Sequence, residues 1–306
     1  MFLLLGIWAF YSLVGQIDFK GFKGAVFSYR ALITVLLATF FAYYFRVKRW
    51  KMVLENRQKK QKGWQIASAM FYGYFINLAL PRAGEITKAA IYQKYSGLKL
   101  PFIIGTIVLD RLIDILVLLL LLVVYSFLDH DIYISFYHKW ITNTPIDGFL
   151  KWQIIFPLSI LFITSLFIFW RFVKPILQVK WSNFSEGLFA IAHLKQLPLF
   201  VLYTLGIWTC YFFTSYGCFG FLKTDLGLRA GFALLVLGSF ARSIPIQAGA
   251  IGVYHYTVIL VLTLPIFAES EGNSVLIAAI IHGIQTGVQI IMGVISLIIN
   301  SIKLRN

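Results

Sequence analysis

Charge is what this sequence has least of, and its scarcity excludes several classes of protein. Charged side chains make up 13% of the 306 residues, whereas a soluble domain carries about 25%. Acidic residues are especially few, 12 against 27 basic ones. The chain has only 2 cysteines, which excludes a disulfide scaffold. A soluble globular fold is excluded as well, and a hydrophobic share of 59% excludes an intrinsically disordered chain.

The sequence also lacks the short motifs of common enzyme classes. It contains no Walker loop, no G-x-S-x-G, no G-x-G-x-x-G after a strand and no H-E-x-x-H. We therefore expect no catalytic residue, no cofactor and no enzymatic activity. Any transport would then be facilitated, ion-coupled or driven by another protein. The acidic and histidine residues Asp129, His130, Asp131 and His138 lie close together, but such residues are ordinary in a solvated loop, so no metal site is predicted.

Long apolar runs are what the sequence does have. Its mean hydropathy is +0.81, and a membrane-spanning helix needs about 20 predominantly apolar residues. The sequence therefore predicts an all-α polytopic membrane protein. The apolar runs cover residues 2–17, 26–45, 66–80, 102–128, 153–170, 199–222, 231–265 and 274–300.

Two segments, 66–96 and 230–265, are interrupted by proline and glycine. Proline removes a backbone donor and glycine permits a sharp change of direction, so each helix should break there. Each segment is predicted to form a broken, re-entrant helical hairpin. The break residues are Pro81 and Gly84 in the first hairpin, and Pro245, Gly249 and Gly252 in the second.

The surroundings of the two hairpins are alike, which predicts an internal repeat. Each hairpin follows two apolar spans and precedes one, so each half would contain three spanning helices and one re-entrant hairpin. An odd number of crossings inverts the second half relative to the first, as in many transporters. The predicted division is residues 1–128 for the first repeat, 129–151 for an extracytoplasmic loop and 152–306 for the second repeat.

The distribution of charge predicts the orientation. Basic residues gather in 46–65 and 171–198, whereas 129–151 and 266–273 are acidic or nearly balanced. By the positive-inside rule the basic segments and both termini are cytoplasmic, in the cytoplasmic (inner) membrane. The first hairpin then enters from the cytoplasm and the second from outside. Basic loops beside apolar spans favour lipid headgroups, rather than nucleic acid, as the partner.

Ionisable side chains at membrane depth are the candidate binding residues, because a charge in hydrocarbon costs at least about 2.5–3.5 kcal/mol. Arg111 and Asp114 are three residues apart and can pair. That pair would either fix helix packing or contact the substrate. Instead of binding substrate, Lys88 could extend its ammonium to the cytoplasmic membrane–water interface, although Lys94 suits that role better. The candidate substrate-binding residues are Arg82, Glu85, Lys88, Asp110, Arg111, Asp114, Arg242, Gln247 and His255.

The last apolar run carries a polar stripe and a pair of small residues. His282, Gln285 and Gln289 share one helical face, which suits either interhelical hydrogen bonding or a proton relay. Gly283 and Gly287 form a small-xxx-small pair, which predicts close packing on a neighbouring helix.

Three stretches of the chain resemble the lysylphosphatidylglycerol synthase transmembrane family, also called flippase-like domain proteins. They are residues 77–88, 108–114 and 245–255, and Arg49-Trp50 fits as well. The resemblance implies a polytopic bundle that moves a lipid or lipid-linked headgroup across the bilayer. Bifunctional members carry a soluble synthase domain after this region. Because the sequence stops shortly after its last span, synthase activity is not expected.

The sequence departs from the pattern that the resemblance implies. Lys88 replaces a frequent arginine and Asp110 a frequent glutamate, and both substitutions keep the charge. The second break carries Gln247 and His255 where many relatives have a proline and a glutamate. A fixed negative charge is thereby exchanged for a group that titrates near neutrality.

These observations predict a lipid flippase-like protein for an anionic phospholipid or lipid-linked headgroup. The phosphate would be attracted by Arg82, Arg111 and Arg242. The carboxylates of Glu85, Asp110 and Asp114 would orient these arginines. Two alternatives stay open: a secondary transporter of a small anion with His255 as proton carrier, and a non-catalytic subunit of an envelope lipid pathway. Besides membrane lipids, the candidate partners are a second copy of the chain and a lipid-synthesis enzyme.

Overall fold

The computed structural model describes residues 28–55, 61–80, 83–132, 134–135, 181–221, 226–243 and 252–304, which are largely helical and contain no strand. The helices are α1 (Tyr29–Glu55), α2 (Gly63–Ala79), α3 (Ala83–Ser96), α4 (Leu100–Leu128), α5 (Trp181–Leu188), α6 (Leu197–Gly217), α7 (Gly227–Ala233), α8 (Ser239–Ser243), α9 (Val253–Leu262) and α10 (Glu271–Lys303). A π-helical turn, Leu234–Gly238, joins α7 to α8, and short 3₁₀ segments cover Ala190–His193 and Cys218–Phe221.

Three of the described helical segments are long and apolar enough to cross a membrane: Tyr29–Glu55, Leu197–Phe221 and Glu271–Lys303. Many of their large apolar side chains point away from the protein interior, among them Phe40 of α1 and Leu202 of α6. Such a surface would be unstable in water and is expected against lipid tails. The prediction of an all-α polytopic membrane protein is confirmed.

The first predicted hairpin is a pair of helices in close contact. Helix α2 ends at Ala79 and α3 begins at Ala83, so the helix breaks where the sequence predicts. The amide N–H of Gly84 donates to the Asn77 side chain at 2.8 Å, which caps the start of α3. A Cβ at Gly73 would lie 2.6 Å from the carbonyl oxygen of Gly84. Only glycine allows the two backbones to approach so closely.

The second predicted hairpin is helical on both sides of its break. Helix α8 ends at Ser243 and α9 begins at Val253. Gly252 precedes α9 with φ of 101°, in the region that favours glycine. Tyr254 packs against Gly238, so the two arms of the hairpin are in contact. The other predicted break residues, Pro81, Pro245 and Gly249, lie outside the described residues.

Helix α10 contacts both hairpins. It packs on α2, where Gly293 lies against Phe75, and its Asn300 accepts hydrogen bonds from Ser68 and Tyr95 of the first hairpin. It also packs on α9. Elsewhere α1 packs along α6, and α4 packs on α5 through a close contact between the backbones at Gly105 and Gly187.

The predicted repeat is only partly covered by the structure. A hairpin followed by a long helix occurs twice, as α2–α3–α4 and as α7–α8–α9–α10. The apolar runs 2–17 and 153–170 lie outside the described residues. The inversion of the second half, the domain boundaries and the re-entrant path of each hairpin therefore stay predictions.

One prediction about local packing is wrong. The apolar run that was expected to end at residue 45 continues as helix to Glu55, so Arg46 and Arg49 are buried helical residues and not part of a loop. A Cβ added at Gly283 or Gly287 would meet no heavy atom of the described residues within 4 Å. Close packing at these two glycines against the rest of the chain stays a prediction.

Candidate functional site

Two arginines of α1 and two aspartates of α4 form a buried ion-pair cluster. Arg49 is fully buried and donates to Asp110 at 2.7 Å and to Asp114 at 2.8 Å. Arg46 donates to Asp114 at 2.7 Å and lies 3.5 Å from Asp110. A buried pair is stable only when its hydrogen bonds are satisfied, and here Tyr211 of α6 also accepts from Arg46, at 2.6 Å. The cluster fixes α1, α4 and α6 to one another.

Arg111 faces the first hairpin and pairs there with Glu85, not with Asp114 as predicted. Asp114 is already held by Arg46 and Arg49. The Asn77 amide donates to the second oxygen of Glu85 at 3.2 Å. This pair therefore ties α4 to the turn of the hairpin. Its side chains are 51% and 30% exposed, so it is the more accessible of the two ion-pair groups.

Lys88 lies between these two groups and is only 7% exposed. Its ammonium is 3.7 Å from the centre of the Trp50 ring, a cation–π contact. Trp50 is itself fixed by donating from its ring nitrogen to the hydroxyl of Thr106 at 3.0 Å. In the described part of the chain no carboxylate oxygen lies within 4 Å of the Lys88 ammonium. Among the described residues the buried ammonium thus has an aromatic neighbour but no carboxylate in direct contact.

A narrow cleft lies beside Lys88, between α1, the first hairpin and α4. Its volume is about 10 Å³, which is about the space of one water molecule. The lining is mostly polar or charged, so the cleft suits an ionic group better than an acyl chain. It is lined by Arg46, Gly73, Tyr74, Asn77, Gly84, Glu85, Lys88, Ile107, Asp110 and Arg111.

A second polar group lies between the second hairpin and α10. The Arg242 guanidinium lies 3.8 Å from the centre of the Tyr254 ring and donates to Gln285 at 2.5 Å. The rings of His255 and His282 are 5.0 Å apart. His255 is buried, and its Nδ1 has no hydrogen-bond partner among the described residues.

The polar stripe of α10 makes interhelical hydrogen bonds, which was one of its two predicted roles. Gln285 accepts from Arg242. Four residues further on, Gln289 donates to the hydroxyl of Tyr43 on α1 at 3.0 Å. Tyr43 in turn packs against Tyr74, which lines the cleft beside Lys88. One face of α10 therefore connects the two polar groups.

A sequence profile of the family described as "Lysylphosphatidylglycerol synthase TM region" matches residues 2–293, nearly the whole chain. The chain belongs to this family. A UPF0104 membrane protein of Methanocaldococcus jannaschii is 26% identical over 213 residues, which are 66% of this chain and 85% of the relative. No solved structure matches the chain.

This member of the lysylphosphatidylglycerol synthase transmembrane family brings its predicted site residues together in two places. Arg82 and Gln247 lie outside the described residues. The other predicted residues fall into one set around the cleft and one around the second hairpin. The cleft set is Glu85, Lys88, Asp110, Arg111 and Asp114, and the second set is Arg242 and His255.

Arg46 and Arg49 are not among the predicted site residues, although Arg49-Trp50 fits the family resemblance. Because they precede a run of basic residues, the sequence pattern predicts that they belong to a cytoplasmic loop. The signal in the sequence was their spacing of three residues with Trp50 adjacent, which places both arginines near one face of a continuing helix. Only the contacts with Asp110 and Asp114 show that this face is turned inward.

Proposed function

We propose that the protein moves an anionic phospholipid or lipid-linked phosphate headgroup across the cytoplasmic membrane, with both termini on the cytoplasmic side. The observation that carries this proposal is the buried ammonium of Lys88, which lines the cleft without a carboxylate within 4 Å among the described residues. The movement requires no covalent chemistry on the headgroup, so the protein would not act as an enzyme.

The charge balance of the cleft favours an anion. The two ion-pair groups contribute Arg46, Arg49 and Arg111 against three carboxylates, and are therefore neutral as a whole. Lys88 adds one positive charge. A charge at membrane depth is retained only when it is paired or hydrated. A phosphate next to Lys88 would supply the missing partner.

The surroundings of the cleft suit a lipid. Helix α4 presents Leu112, Ile115 and Leu116 as exposed apolar side chains directly beside Arg111. A headgroup held in the cleft could therefore keep its acyl or prenyl chains in the bilayer. The family description refers to a phospholipid, which supports a lipid rather than a soluble anion as the substrate.

Translocation would require the cleft to widen, because about 10 Å³ cannot hold a phospholipid headgroup. The pair between Arg111 and Glu85 joins α4 to the hairpin and is partly exposed, whereas the cluster around Arg49 is buried. Exposed ion pairs contribute little stability, about 0–1 kcal/mol. We therefore expect the hairpin to separate from α4 at this pair, while the buried cluster stays intact.

The test is translocation of a fluorescent phosphatidylglycerol in proteoliposomes, followed by quenching of the label exposed outside. Lys88→Met removes the charge but keeps an unbranched side chain of similar length, and should lower the rate at least about tenfold, the effect of about 1.4 kcal/mol. Lys94→Met is the matched control, because Lys94 is an exposed lysine on the same helix. Equal rates for the native protein and Lys88→Met would refute the proposal.

A small soluble anion is the second candidate substrate, because it would require less widening of the cleft than a lipid headgroup. Uptake of radiolabelled phosphate into the same proteoliposomes separates the two candidates. Uptake that depends on Lys88, without movement of the fluorescent lipid, would favour the small-anion transporter. In that transporter His255 would be the candidate proton carrier.

A further inference from the structure

We propose that the polar group around Arg242 is a second binding site for a phosphate-class oxyanion, separate from the cleft at Lys88. Its members are Arg242 on α8, Tyr254 and His255 on α9, and His282 and Gln285 on α10. This inference rests on the proposed function in one respect, since it gives the same headgroup chemistry a second station on its way across the membrane.

The first argument is that Arg242 has no negatively charged partner among the residues that the structure describes. Its two contacts are the Tyr254 ring and the Gln285 amide, both uncharged. No carboxylate oxygen lies within 4 Å of its guanidinium among the described residues, where the ion pairs are made elsewhere. The intervening sequence 244–252 contains no acidic residue at all. An arginine at membrane depth whose contacts among the described residues are neutral is a candidate site for a bound anion.

The second argument is an unused hydrogen-bonding atom at the same place. His255 is 6% exposed, and its Nδ1 has no partner in the described part of the chain. A buried polar atom without a partner costs about 1–3 kcal/mol. The centre of the His255 ring lies 5.0 Å from that of His282 and 5.8 Å from that of Tyr254. A ligand that accepts several hydrogen bonds at once would satisfy these groups together.

These two arguments select a tetrahedral oxyanion. The guanidinium of arginine presents several donors in a planar fork that matches phosphate oxygens, and each neutral imidazole can donate one further N–H. A cation would be repelled by Arg242. A carboxylate offers fewer oxygens than this set of donors can use. The oxyanion could belong to a lipid headgroup or be free phosphate, since the protein groups that recognise them are the same.

The position of the site relative to the cleft supports a two-station arrangement. Gln285 contacts Arg242, and Gln289 contacts Tyr43, which leads to Tyr74 in the lining of the cleft. The two glutamines are four residues apart on one face of α10. An anion at either station would therefore lie beside the same helical face.

The test counts bound ligand by native mass spectrometry of the full chain in nanodiscs of phosphatidylcholine. The probe is dioctanoyl phosphatidic acid, and a parallel titration uses inorganic phosphate. We expect two bound equivalents for the native protein and one for Arg242→Gln. Lys88→Met should also retain one, and the double variant none. Arg229→Gln, at the far end of the same hairpin arm, is the control and should retain two.

The variants distinguish this inference from the proposed function. If Arg242→Gln retained two equivalents, the proposal of a second site would be refuted, and the proposal of binding in the cleft would not be affected. Loss of one equivalent in Arg242→Gln but none in Lys88→Met would refute headgroup binding in the cleft and support the second site. Binding of phosphatidic acid but not of phosphate identifies the lipid as the source, and binding of phosphate but not of phosphatidic acid identifies the free anion.

A second variant covers the case in which Arg242→Gln does not fold. His255→Phe keeps an aromatic ring and removes the unpartnered Nδ1. It should lower the affinity of the second site for the probe about tenfold, the effect of one hydrogen bond to a charged group. The affinity of the cleft at Lys88 should stay unchanged. An unaltered second equivalent in His255→Phe would likewise overturn the inference.

Discussion

The ammonium of Lys88 lies 3.7 Å from the centre of the Trp50 ring, so a side chain of the first hairpin is held against α1. A cation–π contact between desolvated groups contributes about 2 kcal/mol. Removing an ammonium from water costs several kcal/mol, and the ring offsets only part of that. Lys88 is therefore a residue whose charge the fold does not require.

The first prediction concerns the stability of Lys88→Met. Because the native charge is buried with no carboxylate within 4 Å among the described residues, its removal should leave the melting temperature unchanged or raise it. The measurement is a thermal melt of the purified protein in detergent. Lys94→Met, an exposed lysine on α3, should melt like the native protein. A clear fall in melting temperature for Lys88→Met would mean that the lysine stabilises the fold.

The second prediction concerns the close approach of α2 and α3. A methyl group at Gly73 would lie 2.6 Å from the carbonyl oxygen of Gly84 and 2.9 Å from the Cβ of Lys88. Backbone atoms cannot yield easily, so Gly73→Ala should push the hairpin apart and destabilise the protein by at least about 1–3 kcal/mol. The melting temperature in detergent is the measurement.

Gly283 and Gly287 provide matched controls for that substitution. Both lie within α10, and a Cβ at either position would meet no described atom within 4 Å. Alanine there should be neutral or stabilising by up to about 1 kcal/mol, because alanine favours helix over glycine. If Gly73→Ala melted like these two variants, the close contact between the hairpin arms would be refuted.

Much of the fold could be predicted from the sequence, because hydropathy and helix breaks are local properties. Gly84 lies at the start of α3, close to the predicted break, and Gly252 directly precedes α9 with a backbone conformation that suits glycine. Both hairpins could be located because proline and glycine alter the backbone wherever they occur.

The pairing of charges could not be predicted, because it depends on how each helix is rotated. Arg111 and Asp114 are spaced to pair along α4, yet Arg111 is turned towards Glu85 and Asp114 towards α1. Arg46 and Arg49 follow an apolar run and precede basic residues, a pattern that fits either a loop or a continuing helix. Such choices are decided by tertiary contacts.

The third prediction concerns the buried cluster on α1 and α4. Asp110→Asn leaves Arg49, which is fully buried, with one fewer carboxylate. Removing one partner of a buried ion pair costs about 3–5 kcal/mol. We expect a loss of that order, measured as a fall in the melting temperature or in the yield of folded protein. Asp131→Asn, an exposed aspartate, should change neither. Similar stability for both variants would show that the cluster is not structural.

The last prediction is a pH dependence at the C-terminal end of α4, just beyond its final residue. Arg229 donates two hydrogen bonds to Asp129, both at 2.6 Å, and these lower the pKa of the Asp129 carboxyl below its usual value. A lowered carboxyl pKa contributes stability above the unfolded-state value of about 3.9. That stability is lost as the pH falls through the folded-state pKa. Because the Arg229 side chain is 49% exposed, the contribution should be about 1 kcal/mol.

Asp129→Asn tests this dependence, because asparagine cannot ionise. The variant should melt below the native protein at pH 7, and the difference should shrink as the pH falls below about 4, where the native carboxyl becomes protonated. Asp131→Asn, on the same segment but exposed, is the control and should show no difference at either pH. A difference between Asp129→Asn and the native protein that stayed constant down to low pH would show that Asp129 stabilises the helix end by shape and not by charge.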